Sequence, residues 1–169
     1  MNAKIIKTKQ ALLEAICRLA ETVPIQEITV TQLCQEAGIN RTTFYRYYNI
    51  PMDVILQKTE ELTEMAFQSA LQSGQDSYEC IRDICNVYYE NRKMMPIYFN
   101  AGGDLFKIQY ELLLRHSDHL QFLVNPVNNF IAGGVASSIM TWIIGGCATS
   151  PEALAEYISN CISKLSGEK

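Results

Sequence analysis

The sequence predicts an all-α protein in two parts, a three-helix head followed by a longer helical body. Apolar residues recur at i+3 and i+4 along nearly the whole chain, and no segment alternates as a strand would. Only nine Gly and five Pro occur in 169 residues, and most of them fall where the helical period breaks. Charge is unevenly placed. Residues 1–50 carry six Lys/Arg against four Asp/Glu, and residues 51–169 carry eight against fourteen. A weakly basic head on an acidic body is a reason to examine the head, and the chain is read as two domains, 1–50 and 51–169. The 48% apolar content excludes a disordered chain, and no internal repeat is present.

The first helix is expected over residues 4–22, with Leu12, Ile16, Leu19, Ala20 and Val23 on one apolar face. Lys4, Lys7 and Lys9 oppose the helix dipole at its start, which reads as an external anion nearby or, more commonly, a frayed terminus. Pro24 ends that helix. Thr29 and Gln32 then stand at capping-box spacing, so a second helix starts near Thr29 or Thr31. Val30, Leu33 and Ala37 face inward, and Gly38 sits where a left-handed C-cap belongs. Asn40 caps a third helix over 41–48, with Ile39 and Phe44 forming a hydrophobic staple. Two short helices joined by a glycine turn have the sequence shape of a helix-turn-helix.

At 100° per residue, Phe44 and Tyr48 point together toward the first two helices, with Tyr47 at the edge. Thr42 and Arg46 point the opposite way, flanked by Thr43 and Tyr45, and Arg41 opens the helix. Arg suits guanine edges or phosphate, Thr suits phosphate or a thymine methyl, and the Tyr hydroxyl suits phosphate. The helix N-terminus adds affinity for phosphate. A solvated helix with aromatic packing fits the same wheel. The net charge of −4, taken alone, also argues against a nucleic-acid partner.

In the body, helices are expected over 51–72, 77–92, 104–116, 126–147 and 151–165, with a break at "KMMPIYFNAGGDLF". Ser150 caps the last helix and Pro151 occupies its first turn. The uncharged run 130–148 is at the low end of bilayer length and has no close basic flank. It reads as a buried helix in a bundle or a dimer interface, not as a span. Gly133, Gly134, Ala136, Ser137 and Ser138 make one flank of that helix small. With Tyr157 and Cys161 of the last helix they form the dimer candidate, and intrachain packing is the competing reading. Tyr88, Met95, Tyr98, Phe99, Phe106, Tyr110 and Trp142 are candidates for an apolar ligand pocket, against plain core. Six cysteines without a C-x-x-C pair read as small buried hydrophobes in a reducing cytoplasm. His116 and His119 beside Asp118 read as a solvated helix end, so no metal is expected. The N-terminus has no signal-peptide core. No catalytic motif appears, and neither an enzyme nor a cofactor is expected.

The order of a helix, then "ITVTQLCQEAGINRTTFYRYYN", then "MDVILQKTEEL" resembles the DNA-binding domain of TetR/AcrR-family transcriptional regulators over about residues 5–60. Ala37-Gly38-Ile39-Asn40, Thr43-Phe44-Tyr45 and Tyr47-Tyr48 carry the likeness. "NFIAGGVASSIMTWIIGGCATSPEALAEYI" is similar to the last two helices of one subgroup. The resemblance implies that Thr29 or Thr31 meets phosphate, that Arg41, Thr42 and Thr43 lie at the groove, and that Tyr45 and Tyr47 hold the backbone. It implies a cytoplasmic homodimer, with two helices per subunit in a four-helix bundle, on a near-palindromic double-stranded DNA operator. The regulator would be a repressor modulated by a small apolar effector in the body, or one controlled by a protein co-regulator and able to act as an activator. No membrane is implied. One departure stands out: Pro51 occupies the position where the family usually has a phosphate-binding Lys.

Overall fold

The computed structural model describes residues 3–72, 76–100, 102–103, 107–108 and 125–166, excepting the side chains of 70, 71 and 166. Among the described residues the regular structure is entirely helical. The elements are α1 (Ala3–Leu19), a 3-10 turn (Ile25–Glu27), α2 (Val30–Ala37), α3 (Arg41–Phe44), α4 (Met52–Gln72), α5 (Ser77–Glu90), α6 (Met95–Asn100), α7 (Pro126–Ile144) and α8 (Pro151–Ser166). The chain divides into two compact units, Met1–Thr59 with Pro96–Gly103, and Glu60–Met95 with Asp104–Lys169. The boundary thus falls inside α4, about two turns beyond residue 50, and a short later segment belongs to the first unit.

In the first unit, α1 packs on α2 and α2 on α3. Leu12, Ala15 and Ile16 of α1 are fully buried with Leu33 of α2, Phe44 of α3 and Ile55 of α4. The bonds of α1 continue as turns as far as Val23. Arg18 and Glu36 pair at 2.7 Å between α1 and α2. Both side chains are more than a third exposed, so the pair adds little beyond fixing register. Tyr98 of α6 is buried, and its ring lies where a Cβ on Gly103 would stand, so only glycine fits there. Gln26 donates to the Asn100 carbonyl at 3.2 Å.

In the second unit, α5 packs along α8, and α7 touches both. Ile81, Cys85 and Tyr88 of α5 are buried, as are Ile139, Met140, Trp142 and Ile143 of α7 and Ala155 and Ile158 of α8. Each helix start is capped by a side chain: Asp76 accepts from the Glu79 N–H, Asn125 from Val127, and Ser150 from Ala153. Helix α5 ends at Glu90, not Arg92, because Asn91 to Met94 form turns ahead of Pro96. Helix α7 ends at Ile144, before Gly146 (φ 78°). The helix expected over 104–116, with His116, His119 and Asp118, lies almost wholly outside the described residues.

The apolar run 130–148, expected to be buried in a bundle or a dimer interface, lies in a helix that its own chain covers only in part. Helix α7 is long and apolar enough to cross a membrane, with a mean hydropathy of 1.3, yet only 22% of that window is buried within the chain. Apolar residues surround α7 instead of forming one stripe, so the contacts with α5 and α8 leave the remainder uncovered.

Candidate nucleic-acid interface

The site is built on two caps and a left-handed glycine. At α2, the Thr29 N–H donates to Gln32 Oε1 at 2.9 Å, and the Gln32 N–H donates to Thr29 Oγ1 at 3.2 Å, which completes the capping box. Gly38 closes α2 at φ 65°, ψ 33°, where a β-carbon is disfavoured. The Asn40 side chain then accepts the Thr42 N–H at 2.9 Å and starts α3.

Helix α3 is shorter than the period suggests. Regular α structure covers Arg41–Phe44 and gives way to turns through Tyr47. Tyr47 and Tyr48 donate to the Phe44 carbonyl at 2.9 and 3.1 Å, and Arg46 reaches Thr43 at a long 3.4 Å. The facing survives, because Tyr48 still donates to the carbonyl four residues back, as in an α turn. Phe44 and Tyr48 are buried, with ring centroids 5.7 Å apart. Arg41, Thr42 and Arg46 are exposed, Tyr45 is 58% exposed, and Thr43 and Tyr47 are half-buried. The expected phosphate seat at the α3 N-terminus is weakened in two ways: α3 spans four residues, and Asn40 already takes the Thr42 N–H.

Thr29 and Thr31 are both exposed. Their settings differ, since the Thr29 hydroxyl is committed to Gln32 at 2.7 Å. Thr31 and Arg41 line a common open groove of about 420 Å³ with Cys34, Gln35, Gly38 and Ile39. Gln35 is exposed and was missed from sequence. Its position one turn beyond Thr31 on α2 could have revealed it. Beyond Tyr48, Asp53 Oδ2 accepts the N–H groups of Asn49 at 2.7 Å and Ile50 at 3.1 Å, another feature that sequence reading missed. Pro51 precedes α4 and leaves the helix intact.

The pocket candidates are not gathered in one unit. Tyr98 and Phe99 lie in the first; Tyr88, Met95 and Trp142 lie in the second; Phe106 and Tyr110 fall outside the described residues. Tyr88 is buried and its hydroxyl donates to Thr63 Oγ1 at 3.3 Å. Trp142 Nε1 donates to the Thr149 carbonyl at 3.0 Å, and its ring stacks on Tyr89. The dimer candidates Gly133, Gly134, Ser137 and Ser138 are exposed, Tyr157 is 70% exposed and Cys161 is half-buried. Burial raises the thiol pKa values of Cys34, Cys80 and Cys147, and Cys85 is pushed up to about 12. These are therefore protonated thiols at neutral pH.

No protein-family model matches the chain. The HTH-type transcriptional regulator EthR of Mycolicibacterium smegmatis is 32% identical over 101 residues, which span 57% of this chain and 46% of that protein. Among solved structures, the dihydroxyacetone kinase operon activator DhaS superposes with a TM-score of 0.64 at 20% identity, over 94% of this chain and 96% of that one. The fatty acid degradation regulator FadR from Bacillus halodurans gives 0.60 at 16%, over 96% of each chain. A TetR family transcription regulator from Marinobacter aquaeolei VT8 gives 0.60 at 16%, over 94% and 95%. Fold and capped helix pair define the class, an all-helical protein with an N-terminal helix-turn-helix. Within that class the chain is similar in sequence to the regulator EthR over 101 residues, about half the length of that relative, and similar in fold to a TetR family transcription regulator.

Proposed function

We propose that the protein is a cytoplasmic, homodimeric, sequence-specific DNA-binding transcription regulator. It acts as a repressor whose DNA affinity is modulated by an effector bound in the body. The observation that carries the reading is the facing of residues 41–48. Phe44 and Tyr48 are anchored in the core, while Arg41, Thr42, Tyr45 and Arg46 stand free on the opposite side. Two such heads, one per subunit, would enter successive major-groove faces about one helical turn apart. Thr31 and Gln35, beside Arg41, would meet the flanking phosphates.

The dimer surface is the uncovered side of α7 with α8. A Cβ at Gly133 or Gly134 would meet nothing within 4 Å, so these small residues serve no close packing within the described chain. The Ser138 hydroxyl donates to the Gly134 carbonyl at 2.8 Å, and Thr141 to Ser137 at 2.9 Å. A partner could therefore cover this flank without stranding their hydroxyl protons. Control by a protein partner, with an activator's role, is the second reading. It is favoured by the burial of Tyr88 and Trp142, whose polar atoms are bonded within the chain.

Binding to the DNA upstream of the protein's own gene, measured against salt, tests the main reading. Affinity should fall steeply as salt rises. Arg46→Ala should lower the slope by roughly one unit, and Tyr45→Ala should weaken binding. A folded protein that binds no duplex at low salt would refute it.

A further inference from the structure

We infer that Asp53 is a positioning residue for DNA reading, fixing where Tyr45, Arg46 and Tyr47 stand without touching DNA itself. The inference rests on the proposed reading of residues 41–48 as the DNA face. That segment has little helical order of its own: α3 is four residues long, and the chain from Tyr45 to Tyr47 is turn, with one bond at 3.4 Å. Its exposed side chains therefore depend on what holds the two ends.

The upstream end is held by Asn40, whose side chain takes the Thr42 N–H. The downstream end is held by Asp53. One carboxylate oxygen takes two successive N–H groups, Asn49 at 2.7 Å and Ile50 at 3.1 Å, immediately after buried Tyr48. This is half of a capping box. The acid three residues beyond Ile50 reaches back, but Ile50 has no hydroxyl to return the bond. Pro51 has no N–H and restricts the backbone of Ile50. Asp53 is thus the side chain that ties the end of the reading segment to the rigid 21-residue α4.

A carboxylate beside a DNA-binding surface also repels phosphate, which acts in the opposite direction. Asp53 is half-exposed, and its charge is screened over about a Debye length of 8 Å at physiological salt. Two charge-assisted hydrogen bonds that set side-chain placement outweigh that repulsion.

The test compares Asp53→Ala and Asp53→Asn with the wild-type full chain on two duplexes, the protein's own upstream site and an unrelated sequence, each against salt. Asp53→Ala should lose about tenfold or more in affinity for the site. It should bind the unrelated duplex as wild type does and keep the wild-type salt slope, since no cation is lost. Asp53→Asn keeps an acceptor oxygen and should recover most of the site affinity. Asp53→Ala binding the site as well as or better than wild type would overturn the inference. Equal proportional losses on both duplexes, pointing to a general folding defect, would overturn it too. Wild-type protein that fails on both duplexes would instead remove the DNA reading, and this inference with it.

Discussion

Cys85 shows how one buried side chain couples to pH. It is fully buried in the second unit. Burial, then the neighbouring Cys147 and Cys80 thiols, push its pKa from 9.0 to about 12. In the unfolded chain this thiol would release its proton near its ordinary value, while the folded chain holds it. Stability is therefore fully present below pH 9 and falls as pH rises toward 12, by up to about 1.4 kcal/mol per pH unit for one thiol. Urea midpoints at pH 8, 9 and 10 should fall in the wild type. They should fall less in Cys85→Ala, which starts lower because of its cavity. Parallel curves for the two proteins would refute the assignment. The same protonated state makes Cys85 a poor metal ligand or nucleophile at neutral pH, in keeping with its reading as a small hydrophobe. At this scale the sequence exposed what periodicity controls. Phe44 and Tyr48 were legible as core because they stand four apart, whereas Asp53 was not legible. A capping acid is recognised by its Ser or Thr partner, and Ile50 occupies that place.

Helix starts were legible where cap chemistry is written in side chains, as at Thr29, Asn40 and Ser150, and at Gly38 for a helix end. The end of α3 was not legible, because the change from helix to turn lies in which carbonyl each N–H meets, and one pair of apolar residues four apart does not record it. The α2 capping box is the element whose contribution can be measured most directly. Its two backbone bonds and the 2.7 Å hydroxyl–amide bond tie Thr29 and Gln32 into one unit. Thr29→Ala should destabilise the protein by about 1 kcal/mol. Gln32→Ala added to it should cost much less than it does alone, because its partner is already gone. A double-mutant cycle by urea denaturation reads this, and strict additivity would mean that the two residues cap independently. The domain division at residue 50 marked a change of charge, whereas the compact units part at Thr59 inside α4. A helix that contributes to both units carries no break in its pattern for sequence reading to find.

For the whole molecule, the open question in the sequence was what covers the apolar run that became α7. A continuous apolar stretch looks the same whether its cover is the same chain, a second copy or lipid. The fold excludes full cover by the described chain, since Val127, Phe130 and Ile144 are 53%, 72% and 61% exposed, with Tyr157 and Leu165 of α8 at 70% and 59%. A stable dimer buries about 1,200–2,000 Å² in total, and two exposed helices per subunit can supply a surface of that order. Phe130→Glu on each subunit would bring two carboxylates into that interface, leaving charges buried without partners. Light scattering after size exclusion should therefore give a dimer for wild type at micromolar concentration and a monomer for Phe130→Glu. The head of the variant is unchanged, so its residual DNA binding should be that of a single reader. Affinity for a two-half-site duplex should drop by about a hundredfold or more, and affinity for one half-site should stay the same. A wild-type monomer, or a Phe130→Glu dimer with full affinity for the paired site, would place the dimer contact elsewhere and leave α7 to another partner. Flotation of the wild type with neutral lipid vesicles would then identify that partner as a bilayer.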